Sequence, residues 1–168
     1  MSDCQFRFAV AGDEELILSF IRALAEYEQM SDQVQATPEL IGKWIIQRQM
    51  AQVIFAVADG KEVGFALYFT NFSTFLGRPG VYLEDLFVLP EARGRGYGKK
   101  LLQELARIAV GSGYGRLEWA CLDWNQPSID FYTKRMGASP MDEWTIYRLS
   151  GESLFNAAPA VGADHPIF

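Results

Sequence analysis

The sequence predicts a single α+β domain built on a mixed, mainly antiparallel central sheet with flanking helices. Three observations carry this expectation. Two β-rich runs meet at Asp59-Gly60, a favoured tight-turn pair. A longer strand-like run, "PGVYLEDLFVLP", leads into a strongly amphipathic helical pattern. After that helix the chain has room for only one further crossover, which rules out a long parallel βαβ wall.

The elements follow in order. "QFRFAV" at residues 5–10 alternates as a strand does. "GDEELILSFIRALAEYEQ" places Leu16, Ile17, Phe20, Ile21 and Leu24 at helical spacing, with Asp13 and Glu14 at the positive helix start. "ATPELIGKWIIQRQM" predicts a second helix, with Thr37 as N-cap and Pro38 at the first helical position. "VIFAVADGKEVGFALYFT" is the hairpin, and the strand after it closes at Pro90. "KKLLQELARIAVGSGYG" is a helix with Leu101, Leu102, Leu105, Ile108 and Ala109 on one face, ended by Gly111 and Gly113. "RLEWACLDW" predicts a strand, "NQPSIDFYTKRMG" a short helix and "EWTIYRL" a final strand. The domain is expected over 1–150, with 151–168 as a tail; "NAAPAVGADHPIF" has neither period nor charge pattern.

Length and composition bound the function. The 168 residues suffice for one domain with a sizeable core, and 49% hydrophobic with 21% charged residues is ordinary for a globular protein. A net charge of −6 argues against a general nucleic-acid-binding surface. It suits small cationic partners, although acidity also serves solubility. Cys4 and Cys121 are too few for a disulfide framework and match no metal-ligand spacing, and the single histidine, His165, lies in the tail. "MSDCQFRFAV" does not read as a signal peptide and no apolar stretch is long enough to span a bilayer, so the cytoplasm is expected, with no membrane partner.

The run "EARGRGYGKK" sets Gly94, Gly96 and Gly98 among Arg93, Arg95, Lys99 and Lys100. It lies between a strand end and a helix start, where unpaired N–H groups and the helix dipole favour an anion. Glycines let backbone come close, and the basic side chains supply countercharge, so a phosphate cradle is expected rather than a flexible turn. A dinucleotide fingerprint would read G-x-G-x-x-G, whereas this run gives G-x-G-x-G, although Glu118 falls about 20 residues on, where a ribose-binding acid would stand.

"RGRGYG" also fits the [QR]-x-x-G-x-[GA] signature of the GNAT N-acetyltransferase superfamily, and "NQPSIDFYTKRMGA" resembles that superfamily's N-x-x-[SA]-x-x-x-Y helix. With "LAEYEQM", "YLEDLFV", "WNQPSIDFY" and a late tryptophan, the chain is most similar to the spermidine/spermine (diamine) N-acetyltransferase subfamily over roughly residues 5–150. The resemblance implies the GNAT fold, splayed between its fourth and fifth strands, and acetyl-CoA as cosubstrate. It implies that Arg93, Gly94, Arg95, Gly96, Tyr97, Gly98 and Lys99 seat the diphosphate. Leu86, Phe87 and Val88 would offer a strand edge to the pantetheine amides, and Asn125 and Ser128 would contact the same arm; Asn125 competes as a helix N-cap.

Tyr132 would protonate the departing thiolate, as a phenol titrating near ~10 can. Glu84 and Asp85 are adjacent on a strand, so their side chains are expected on opposite faces, with Glu84 toward the acceptor. Glu84 would either accept the amine's proton through water or hold the cation by charge alone. Tyr27, Glu28, Asp142 and Trp144 would join Glu84 and Asp85 around the acceptor, a small cationic amine such as a polyamine, a diamine or a lysine-like amino acid, in a homodimer. The tight "ADGKEV" turn is shorter than the loop common among polyamine enzymes, which keeps amino-acid acceptors open. Cys121 is expected to be structural, so transfer would be direct. A non-catalytic acyl-CoA-binding module would need neither Tyr132 nor Glu84. A nucleotide-dependent oxidoreductase fits the glycine run less well.

Overall fold

Strand β1 (Gln5–Phe8) opens the first of two units in the computed structural model, which describes residues 4–158 and divides after Asn125. Its Arg7 donates through Nη1 (2.7 Å) and Nη2 (3.0 Å) to Asp13 and through Nε (2.8 Å) to Glu62, which pins the chain entering α1 (Glu14–Tyr27) to the sheet. α1 buries Ile17, Phe20 and Leu24 of the expected stripe, together with Leu18 and Ala25, while Leu16 and Ile21 are only half-buried at its margin. α2 (Pro38–Ile41) is capped by Thr37, whose Oγ1 accepts from the Leu40 N–H at 3.3 Å, and continues as a π-helical turn over Gly42–Gln47.

β2 (Gln52–Ala58) and β3 (Lys61–Ser73) form the expected hairpin, with Asp59 and Gly60 at φ of 52° and 74°. β4 (Arg78–Val88), α3 (Tyr97–Gly111) and β5 (Leu117–Trp119) complete the unit. The sheet runs β1-β2-β3-β4-β5, antiparallel as far as β4 and parallel between β4 and β5. Between the sheet and α1 lies an aromatic core in which Phe20 stacks on Phe65 at 5.1 Å and meets Phe55 at 5.8 Å.

Two irregularities of β4 position the site. Leu67 pairs with Asp85 but Tyr68 with Leu83, so Glu84 is an extra residue in a β-bulge. The β4–β5 ladder covers only Val81–Leu83 against Leu117–Trp119, leaving Glu84–Val88 with no strand on that side among the described residues. The splay between the fourth and fifth strands is therefore present. It also shortens β5: the strand expected over 116–124 stops at Trp119, where the bent β4 no longer offers a ladder.

The second unit holds α4 (Gln126–Asp130), which runs into a π-helical turn over Phe131–Arg135, and α5 (Gly151–Ala157). Asp130 braces the first of these by accepting from Gln126 (2.7 Å) and Lys134 (2.9 Å). The final strand expected at "EWTIYRL" is absent. Residues 143–149 make no ladder, and Trp144, Ile146 and Tyr147 are exposed, so β-prone composition without a paired edge does not make a strand here. α5 forms in what the sequence presents as tail, and residues 159–168, with His165, lie outside the described residues.

Candidate active site

The glycine loop is built to leave space above a helix start. Gly94 and Gly96 hold φ of 77° and 82°, in the left-handed region where other residues are strained, and a Cβ on either would meet nothing within 4 Å. The first α3 bond runs from the Lys100 N–H to the Gly96 carbonyl at 3.0 Å, so the N–H groups ahead of Lys100 have no acceptor within the helix. Arg95 and Lys99 are exposed beside them, whereas the Tyr97 side chain is buried, which leaves its backbone as the part that can face a ligand.

Arg93 makes contacts within the fold. Its Nε donates to the Val88 carbonyl at 3.0 Å, and its guanidinium lies 4.9 Å from the Tyr27 ring centroid and 5.1 Å from that of Phe87. The side chain expected to meet phosphate also joins the end of β4 to the end of α1. Only its place in the chain hints at this: it follows the strand by five residues, with aromatic residues on both neighbouring elements.

On β4, Phe87 packs into the core against α1, while Leu86 and Val88 are half-buried and lie along the open edge. Asp85 shares the face of Phe87, because their β3 partners Leu67 and Phe65 are two residues apart. Burial first, then the neighbouring Glu84 and Glu28 carboxylates, push its carboxyl up to about 7. Burial also raises Glu28, which closes α1. Glu84 stands exposed on the bulge. The simple alternation expected of Glu84 and Asp85 is thus broken by the inserted residue, and Asp85 is the enclosed carboxyl.

Beside this cluster the Tyr27 hydroxyl donates to Oδ1 of Asn125 at 3.3 Å, and Asn125 is buried. Burial, followed by Glu28 and Asp123, raises the Cys121 thiol, which keeps it protonated and a poor nucleophile. In the second unit Ser128 and Tyr132 are half-buried. The Tyr132 ring meets Phe131 at 5.4 Å within the π-helical turn. Asp142 and Trp144 are exposed.

Known proteins resemble this chain over most of its length. The model of the "Acetyltransferase (GNAT) family" matches residues 17–138. A thialysine N-epsilon-acetyltransferase from Bos taurus is 37% identical over 166 residues, covering 92% of this chain and 96% of that protein. A spermidine/spermine N(1)-acetyltransferase-like protein 1 from Homo sapiens is 30% identical over 92% of this chain and 24% of its own length. Among solved structures, an integron cassette protein from the mobile metagenome of V. cholerae superposes with a TM-score of 0.76 at 30% identity, over 93% of this chain and 97% of that one.

Proposed function

The chain belongs to the acetyltransferase (GNAT) family and is an N-acetyltransferase, and from that premise we propose that it moves the acetyl group of acetyl-CoA directly to a primary amine of a small cationic acceptor, a polyamine, a diamine or a lysine-like amino acid. One observation carries the reading. Beyond Leu83 the splay leaves the edge Glu84–Val88 open, between the glycine loop at the start of α3 and the enclosed carboxyl of Asp85.

The cosubstrate fits what is present. Open space over Gly94 and Gly96, the first N–H groups of α3, and the exposed Arg95 and Lys99 suit a diphosphate. The backbone of Leu86, Phe87 and Val88 suits a chain of amides that adds as an extra strand. Asn125 and Ser128 are proposed contacts of the same arm, on the strength of the family motif. When bound, acetyl-CoA would supply the acetyl group as a thioester whose departing sulfur needs a proton.

On the acceptor side, burial first and then the neighbouring Glu84 and Glu28 carboxylates raise Asp85, so the site favours a cation beside it. An alkylammonium at Asp85 and Glu28 relieves the repulsion, and the Tyr27 ring offers it an aromatic face. The ammonium, titrating near ~10, gives up its proton through water to Glu84, which is exposed and passes it to solvent. The hydroxyl of Tyr132 protonates the leaving sulfur. Asp142 and Trp144 are proposed to approach the acceptor. Exposed Trp144, Ile146, Tyr147 and Leu149 suit burial against a second copy, as a homodimer would provide.

The deciding experiment is a CoA-release assay over thialysine, lysine, ornithine, spermidine and putrescine, with mass spectrometry of the products. Acetylation of a primary amine on at least one of them is expected. Acetyl-CoA binding without transfer to any amine would favour a non-catalytic acyl-CoA-binding module.

A further inference from the structure

The sheet face that carries Asp85 continues away from the splay. Residues 67, 69 and 71 of β3 alternate onto it, and their β4 partners are Asp85, Tyr82 and Gly80. Phe69 and Tyr82 stack there with centroids 5.0 Å apart. Next to them, Asn71 of β3 meets two side chains from β5 and the residue before it. Its Nδ2 donates to Oε1 of Glu118, and the same oxygen receives Nη2 of Arg116 at 2.9 Å.

Gly80 makes this crossing feasible. A Cβ there would sit 2.8 Å from Arg116 Cγ and 2.8 Å from Asn71 Oδ1, so any side chain would push the two apart. The arrangement is only partly satisfied. Among the described residues Asn71 Oδ1 and Arg116 Nε are enclosed without a hydrogen-bond partner, an uncommon state for buried polar atoms. The Arg116 and Glu118 side chains remain 36% exposed each. A guanidinium and a carboxylate thus stand side by side, each partly reachable from solvent.

Strand geometry sets their distance from the reacting end. Glu118 lies one strand across from its partner Tyr82, which stands two β3 residues from Asp85 along β4. That is about 7 Å along the sheet and about 5 Å across it, or about 9 Å in all. The five bonds from the terminal nitrogen to Cα of a lysine-like molecule extend about 6 Å, with the head groups a bond or two further.

We propose that Arg116 and Glu118 receive the zwitterionic head of an α-amino-acid acceptor whose terminal amine lies at Asp85. Arg116 takes the α-carboxylate, for which the planar fork of a guanidinium is matched. Glu118 takes the α-ammonium. The aliphatic stem runs over Tyr82 and Phe69. A polyamine or diamine brings a cation to both ends and has nothing to offer Arg116. This inference rests on the acetyltransferase reading and selects, within its acceptor class, the amino acids.

Two matched pairs test it: lysine against 1,5-diaminopentane, and ornithine against 1,4-diaminobutane, which differ only by the carboxylate. Wild type is expected to show the higher kcat/KM for the amino acid of each pair. Arg116→Gln should lower that value roughly 10- to 100-fold, the loss expected of one charge-assisted contact, with the change in KM and the diamines unaffected. Arg116→Lys keeps the charge without the fork and should fall between, and thermal melts establish that each variant is folded. Equal losses for both members of a pair, or a wild-type preference for the diamines, would overturn the inference and leave the acetyltransferase reading standing. No transfer to any of the four, to thialysine or to spermidine overturns both.

Discussion

The hydroxyl of Tyr27 donates to Oδ1 of Asn125 at 3.3 Å while the Arg93 guanidinium lies 4.9 Å from the centre of the same ring. One side chain at the end of α1 is thereby tied to the residue that closes the first unit and to the glycine loop. Because Glu28 follows Tyr27 directly, these contacts also fix the carboxyl that helps raise Asp85.

Removing only the hydroxyl isolates the hydrogen bond. Tyr27→Phe keeps the ring over which Arg93 lies and should cost about 1 kcal/mol, the net worth of one such bond. For a chain of this length that is a fall of roughly 2–4 °C in Tm. Tyr27→Ala also loses the aromatic contacts to Arg93 and Phe87 and should fall further. Equal melting of Tyr27→Phe and wild type would show that the bond carries no net stability.

The basic residues of the glycine loop should divide by role. Arg95→Glu with Lys99→Glu is expected to weaken acetyl-CoA binding by at least 10-fold at low ionic strength, and by less in high salt, where exposed charges are screened. Arg93→Gln should chiefly lower Tm, because its Nε serves the Val88 carbonyl. Calorimetric binding and thermal melts on the same samples separate the two effects. An affinity indifferent to Arg95 and Lys99 would remove them from the diphosphate seat.

The fold class was legible because it depends on patterns that local sequence carries. These are the helical stripes of α1 and α3, the Asp59-Gly60 turn, and glycines placed between a strand and a helix. The splay followed from family resemblance and not from any residue pattern. What stayed illegible depends on contacts between distant segments. No spacing announces that Glu84 is inserted into β4, because a bulge is defined by the partner strand. "EWTIYRL" has the composition of a strand, but an exposed segment without a ladder does not become one. The same limit hid the Asn71–Arg116–Glu118 cluster: "RLE" does place Arg116 and Glu118 on one strand face, yet Asn71 and Gly80 reach them only through two strand pairings.

Tyr132→Phe tests the general acid. Loss of a positioned proton donor typically costs about 10²-fold or more in rate. The fall should appear in kcat with little change in KM for acetyl-CoA, and the alkaline limb of the wild-type kcat profile should disappear. The ring and its contact with Phe131 are retained, so packing is an inadequate explanation for such a loss. Undiminished kcat would return Tyr132 to a purely structural role.

Asp85 gives the pH dependence its sign. Its carboxyl is pushed up to about 7 in the folded chain, whereas an unfolded aspartate titrates near ~4. Below pH ~4 both states hold the proton. Between those values only the folded state does, so stability is lost as pH rises toward 7 and is level beyond it. Three causes set this, burial foremost, then the carboxylates of Glu84 and Glu28. Asp85→Asn removes the charge and should melt several degrees above wild type at pH 8, with the gap closing toward pH 4. A cationic acceptor acts in the opposite sense, because it stabilises the carboxylate and displaces the proton on binding. Its KM for wild type should therefore rise as pH falls below 7, and in Asp85→Asn it should be higher throughout with that dependence removed. A wild-type acceptor KM that is flat from pH 5 to 8 would mean that the ammonium binds away from Asp85, and the acceptor side of the site would have to be placed elsewhere.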